Sequence, residues 1–229
     1  MPLSVISMVL LAALCHATWN FLVKRSIDPY QGMTAIVIGH IPAGVIAVLF
    51  SPFLASSAWP YVIAGALLHT GYQVFLLNSY RYGDFSQVYP MARGAAPLIT
   101  ALVSILLLGV PYDKIQISAL FIIGSGIISL AFTADQKGTV NRSTTTLLAL
   151  ITAIFISSYS LVDGMGARVA GTALGFYGYL TIINGFMFTG IIIKVRPGTT
   201  KQVLKHHLRT AMFGGSISFL AYALVIWSF

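Results

Sequence analysis

The chain reads as long apolar runs separated by short polar breaks. A membrane-spanning helix needs about 20 mostly apolar residues, and eight windows reach that length, roughly 4–23, 33–50, 60–80, 86–108, 115–133, 145–163, 172–193 and 211–229. The predicted fold class is therefore an all-α integral membrane protein. The breaks carry turn chemistry: Asp28-Pro29, Ser51-Pro52, Val110-Pro111 and Arg196-Pro197-Gly198. Two polar stretches are longer. Residues 134–144 suit a hinge between halves, and residues 194–210 read as a basic loop. No segment has the pattern of a soluble domain.

Composition agrees with this reading. Charged residues make up 8% of the chain, against about 25% in a soluble domain. There is no Glu, and the acids are Asp28, Asp84, Asp113, Asp135 and Asp163. The net charge of +8 does not imply nucleic acid, because the basic residues lie in short loops between apolar runs. They act as topology signals instead. Lys24, Arg25, Arg81, Lys137, Arg142 and the cluster from Lys194 to Arg209 fall on one side of the predicted bundle. Lys114 and Arg168 fall on the other. The positive-inside rule places the first side in the cytoplasm. Residues 1–23 lack Lys and Arg, so they read as a first span and not as a cleaved signal. A single cysteine, Cys15, excludes an intrachain disulfide and a cysteine-based metal cluster.

Weak self-similarity divides the runs into two sets. Residues 10–23 align with 150–163, which places Trp19 on Tyr159 and Asn20 on Ser160. Gly65 to Tyr72 aligns with Gly215 to Tyr222. Five predicted spans separate the starts of the two copies, and an odd number inverts the second. The charges agree: Ser51 to Trp59 holds no Lys or Arg, whereas its counterpart before residue 211 is basic. Inverted repeats are a common transporter plan, with the substrate site near midplane. The predicted domains are a first repeat over 1–134 and a second over 143–229. The second is expected to be incomplete, with a continuation of about 54 residues needed to finish it.

The most informative stretch runs from Gly83 to Leu108. It puts Arg93 inside an apolar helix between Pro90 and Pro97. A charge at that depth costs roughly 2.5–3.5 kcal/mol or more, so it needs a partner, a wet cavity or an escape to the interface. Arg93 either snorkels or pairs with an Asp, or it faces a cavity and binds a carboxylate or phosphate through its guanidinium fork. The prolines remove helix hydrogen bonds and free carbonyls near Ser86 and Arg93.

The segments Ala17 to Lys24, Tyr80-Arg81-Tyr82-Gly83-Asp84, Tyr89-Pro90-Met91-Ala92-Arg93-Gly94, Ala96-Pro97-Leu98 and Ser158 to Gly164 resemble EamA-type proteins of the drug/metabolite transporter superfamily. The resemblance is specific around 80–98 and generic elsewhere. It implies ten helices in two inverted five-helix repeats, and movement of small metabolites across a membrane. This chain holds eight of those ten spans. Two alternatives follow: a working permease, or a non-transporting fragment or subunit that a second copy or another protein completes.

On that reading Arg93 holds an anionic or amino-acid-like substrate. Tyr89, Trp19, Asn20, His40, His69, Tyr72, Gln73 and Tyr159 are the other candidate substrate-binding residues. The rings are amphipathic and suit a substrate path or a core equally. His16, His40 and His69 either titrate near neutral pH or sit buried and hydrogen-bonded. Asp163 is expected in a cap or loop contact at the end of the sixth helix. Gly124-Ser125-Gly126 and Gly214-Gly215 predict close helix packing. No phosphate-cradling glycine loop, H-E-x-x-H or G-x-S-x-G occurs, so neither an enzyme activity nor a cofactor or metal is expected. The expected location is the bacterial inner membrane, with the lipid bilayer as the other partner.

Overall fold

Length and apolarity explain most of the architecture. A computed structural model describes residues 3–24, 28–82, 85–133 and 142–227. Every predicted window falls on a helix: α1 (Leu3–Lys24), α2 (Pro29–Leu49), α3 (Trp59–Tyr82), α4 (Phe85–Leu106), α5 (Lys114–Thr133), α6 (Arg142–Val169), α7 (Ala173–Val195) and α9 (Leu208–Trp227). No strand occurs among the described residues. Five of these helices are long and apolar enough to cross a membrane: α2, α3 with the turn before it, α6, α7 and α9. Large apolar side chains such as Leu14, Ile46, Leu49, Phe121, Ile122 and Phe213 lie exposed on the helix surfaces. In water that would be unfavourable; in a bilayer it is the expected outer face.

The ends follow from local chemistry. Asp28 caps α2, its Oδ1 accepting from the Tyr30 N–H at 2.9 Å, with Pro29 as the first helical residue. The Thr172 hydroxyl oxygen accepts from the Gly175 N–H at the start of α7. Asp113 and Gln116 form a reciprocal capping box at α5, each bond 2.8 Å long. The basic segment is the main departure from expectation. It contains a short helix, α8 (Thr199–His206), entered through Gly198 at φ +91°. Only glycine adopts that angle without strain. Val203 of α8 is fully buried, while its lysines face outward. Arg196 stacks over the Tyr30 ring at 4.3 Å, and Gln31 donates to Gln202 at 2.8 Å.

Contacts group the chain into two compact units, with boundaries inside α3 and α6. Unit 1 is residues 1–70 with 162–229, and unit 2 is residues 71–161. In unit 1, α2 packs mainly on α7 and α9, and α1 on α9. Small residues bring the backbones together. A methyl group on Gly215 would lie 2.5 Å from Cα of Gly39, and one on Gly178 would lie 2.9 Å from the Gly44 carbonyl oxygen. Gly215 thus packs closely, as expected of the Gly214-Gly215 pair. The expectation for Gly124-Ser125-Gly126 is not met: Gly126 has open space beside it among the described residues, and Gly124 only an ordinary contact at 3.6 Å. Overpacking a full interface costs about 1–3 kcal/mol. Gly215→Val should therefore lower the melting temperature in detergent clearly, while Gly126→Ala leaves it unchanged or raises it. Equal effects at the two positions would remove the close-packing account.

In unit 2, α4 packs on α5, and Gly94 lets Ile127 of α5 approach: an added methyl would sit 2.8 Å from it. Ala92, Ala95 and Ala96 are buried beside it. The last half of α3 meets α6 through Phe75 stacked on Phe155 at 5.2 Å. The Thr145 hydroxyl also donates to the Tyr82 carbonyl at 2.7 Å.

Candidate functional site

The helical repeat of α4 sets the first wall of a cavity in unit 2. Arg93, Ala96, Pro97, Thr100 and Ala101 recur at three- and four-residue intervals and so share one face. Tyr112 from the turn after α4, Leu120 of α5, and Ile156 and Ser160 of α6 complete the lining. The space between them is about 450 Å³ and largely open to one side, within the size range of small-molecule sites. Pro97 lacks an N–H, so the Arg93 carbonyl loses its helix donor at the same place.

One aromatic ring lies against the cation. The Arg93 guanidinium carbon lies 5.8 Å from the centroid of the Tyr72 ring, a cation–π distance. Tyr72 meets Tyr159 edge-to-face at 5.6 Å. Both tyrosines are buried. The hydroxyl groups have a set polarity. Thr100 donates to the Ser157 hydroxyl oxygen at 2.9 Å, and Ser160 donates to the Ile156 carbonyl at 2.8 Å. Their protons are engaged, so their oxygens present lone pairs. The cavity thus offers donors at Arg93, acceptors at Thr100 and Ser160, and apolar walls at Ala96, Leu120 and Ile156. That set suits a carboxylate or phosphate on a small carbon skeleton, and an ammonium group opposite it. A neighbouring groove of about 510 Å³, lined by Leu98, Leu102, Ile105, Ile117, Phe121 and their neighbours, is almost wholly apolar and suits lipid tails instead.

Of the residues predicted from sequence, Arg93, Tyr72 and Tyr159 come together in unit 2. Gln73 is buried on α3 beside Tyr72. The side chains of Tyr89 and Asn20 lie outside the described residues. The remaining three belong to unit 1. Buried Trp19 donates its indole N–H to Nδ1 of His16 at 3.3 Å, within α1. His40 on α2 meets Phe219 edge-on, with centroids 6.5 Å apart. His69 on α3 lies 2.8 Å from Asp163. Asp163 corrects the expectation of a helix-end cap: it stands inside α6, six residues before Val169, with no exposed surface. Thr100, Tyr112, Ser160 and Tyr222 were not singled out by sequence. Two of them carried a signal from the repeat, Tyr222 as the counterpart of Tyr72 and Ser160 as that of Asn20.

These features define a multi-pass helical membrane protein with a cation-bearing cavity of metabolite size. Residues 3–132, more than half of the chain, match the EamA-like transporter family, and the chain belongs to that family. Comparison with curated proteins and with solved structures returns no match. The family is one of transporters, consistent with the drug/metabolite transporter superfamily.

Proposed function

We propose that this chain is a secondary transporter of a small anionic or zwitterionic metabolite across the bacterial inner membrane. The observation that carries this reading is Arg93. It lines a cavity of about 450 Å³ inside the segment that matches a transporter family. The substrate's acidic group sits on the Arg93 guanidinium, its amino group against the Thr100 and Ser160 oxygens, and its carbon skeleton along the apolar wall. Tyr72 lies against the guanidinium, and Tyr159 packs edge-to-face on Tyr72. α1, α4 and α5 join the five longer helices as spans. Transport proceeds by alternating access between inverted repeats at 1–134 and 143–229, a plan supported by the odd span offset and the basic asymmetry of the loops. Energy comes from an ion or substrate gradient.

The test is a thermal-shift screen of amino acids, organic acids and phosphorylated metabolites on purified protein, run in parallel on Arg93→Gln. The expected result is a small set of anionic or zwitterionic compounds that stabilise wild type and not the variant. Stabilisation by neutral or cationic compounds alone, equal in both proteins, would refute this assignment.

A further inference from the structure

Unit 1 contains a second polar site that the substrate cavity does not use. Asp163 of α6 has no exposed surface. Its Oδ2 lies 2.8 Å from Nε2 of His69 on α3 and accepts the Tyr222 hydroxyl of α9 at 2.8 Å. Its Oδ1 has no hydrogen-bond partner among the described residues. That oxygen lies against Gly65, where an added methyl would come within 2.6 Å of it, so the site needs a residue without a side chain.

Among the described residues no Lys or Arg is buried. The titratable groups facing the pair come from each packed helix. His69 belongs to α3, and Tyr222 to α9, its ring 5.4 Å from that of His69. Tyr177 of α7 lies 5.1 Å from the Tyr222 ring. His40 of α2 follows beyond Phe219, whose ring lies 4.8 Å from Tyr177. On α1 the half-buried His16 is engaged with Trp19. A lone carboxylate in such a core is costly. With His69 neutral and Asp163 ionised, the pair carries one net negative charge. One added proton, on the imidazole or the carboxyl, brings the pair to zero. The proton belongs to the pair and not to either residue alone.

We propose that the Asp163–His69 pair, positioned by Tyr222, is a proton-binding site that couples transport to a pH gradient. The inference rests on the transporter reading for its coupling role, and on the geometry alone for proton binding. The three groups tie α3, α6 and α9 together through one carboxylate oxygen. Gain or loss of the proton changes which atoms donate and accept there, and so changes the bonds that hold these helices to one another. Nothing else need enter or leave: the proton is taken from water on one side of the membrane and returned to water on the other.

Two measurements on the full chain test this. The first is magnetic resonance of isotope-labelled histidine in protein reconstituted into liposomes, titrated from about pH 5 to 9. The His69 signal is assigned by its loss in His69→Gln. The expected result is that His69 changes protonation with pH, and that Asp163→Asn moves its midpoint. A His69 that stays in one state throughout, or an unchanged midpoint in Asp163→Asn, overturns the site. The second uses the most stabilising compound from the thermal-shift screen. Asp163→Asn and His69→Gln should keep substrate–substrate exchange and lose stimulation by a pH gradient, and Tyr222→Phe should show a partial loss. Gradient stimulation that survives in both variants overturns the coupling and leaves the transporter intact. Absence of exchange in folded wild type removes the transporter reading and the coupling with it, while the resonance titration still decides proton binding.

Discussion

Arg93→Ala is expected to weaken binding of the cavity's anionic ligand about 100-fold, since hydrogen bonds to a charged group contribute about 1.5–3 kcal/mol. The loss should be specific. Arg93→Lys keeps the charge but not the planar fork, so an intermediate loss of about tenfold is expected. Thr100→Val removes one acceptor oxygen and also the donor bond to Ser157, with a smaller effect that appears only for ligands carrying an amino group. The measurement is the Kd of the most stabilising compound by calorimetric titration, with melting temperature as a check of folding. An alanine variant that binds as tightly as wild type would take Arg93 out of the site. The cavity would then be a packing defect beside a structural cation–π pair with Tyr72.

The second large effect concerns stability. His69→Leu leaves Asp163 fully buried with Tyr222 as its remaining described partner. Removing one member of a buried hydrogen-bonded polar pair costs about 1–3 kcal/mol, because the other is left without its partner. Replacing both members is different. His69→Leu with Asp163→Leu removes the charge and its partner together, and apolar replacements of buried pairs are often neutral or stabilising. The double variant should therefore be more stable than the single His69→Leu, a strongly non-additive cycle. Reversible unfolding in mixed micelles measures this directly. Additive losses would show that the pair is not energetically coupled, and that the 2.8 Å approach of His69 to Asp163 contributes little.

The sequence made the helices legible and left their partners mostly hidden. An apolar run of spanning length has few alternatives to a helix, so windows such as 60–80 and 172–193 fall on α3 and α7. The breaks were readable for the same local reason, although Asp28-Pro29, read as a turn, is the cap of α2. Helix α8 was not readable: it is short, basic and anchored by one buried valine and by Arg196 on Tyr30. Arg93 announced itself because a charge inside an apolar run is costly. Thr100 and Tyr112, which share its cavity, are ordinary residues until the chain folds. Asp163 carried a similar cost to Arg93 but was placed at a helix end. Its partners, 94 and 59 residues away, are brought in only by packing. The two glycine pairs make the same point, since Gly215 meets a facing backbone and Gly126 meets open space.

Substrate counterflow in proteoliposomes tests the central claim most directly. Vesicles are loaded with the most stabilising compound, and a trace of the same labelled compound is added outside. Wild type should accumulate label transiently above the level in protein-free vesicles, and Arg93→Ala should not. Accumulation equal to that of protein-free vesicles in folded wild type, or equal counterflow in wild type and Arg93→Ala, would contradict a transporter built around Arg93.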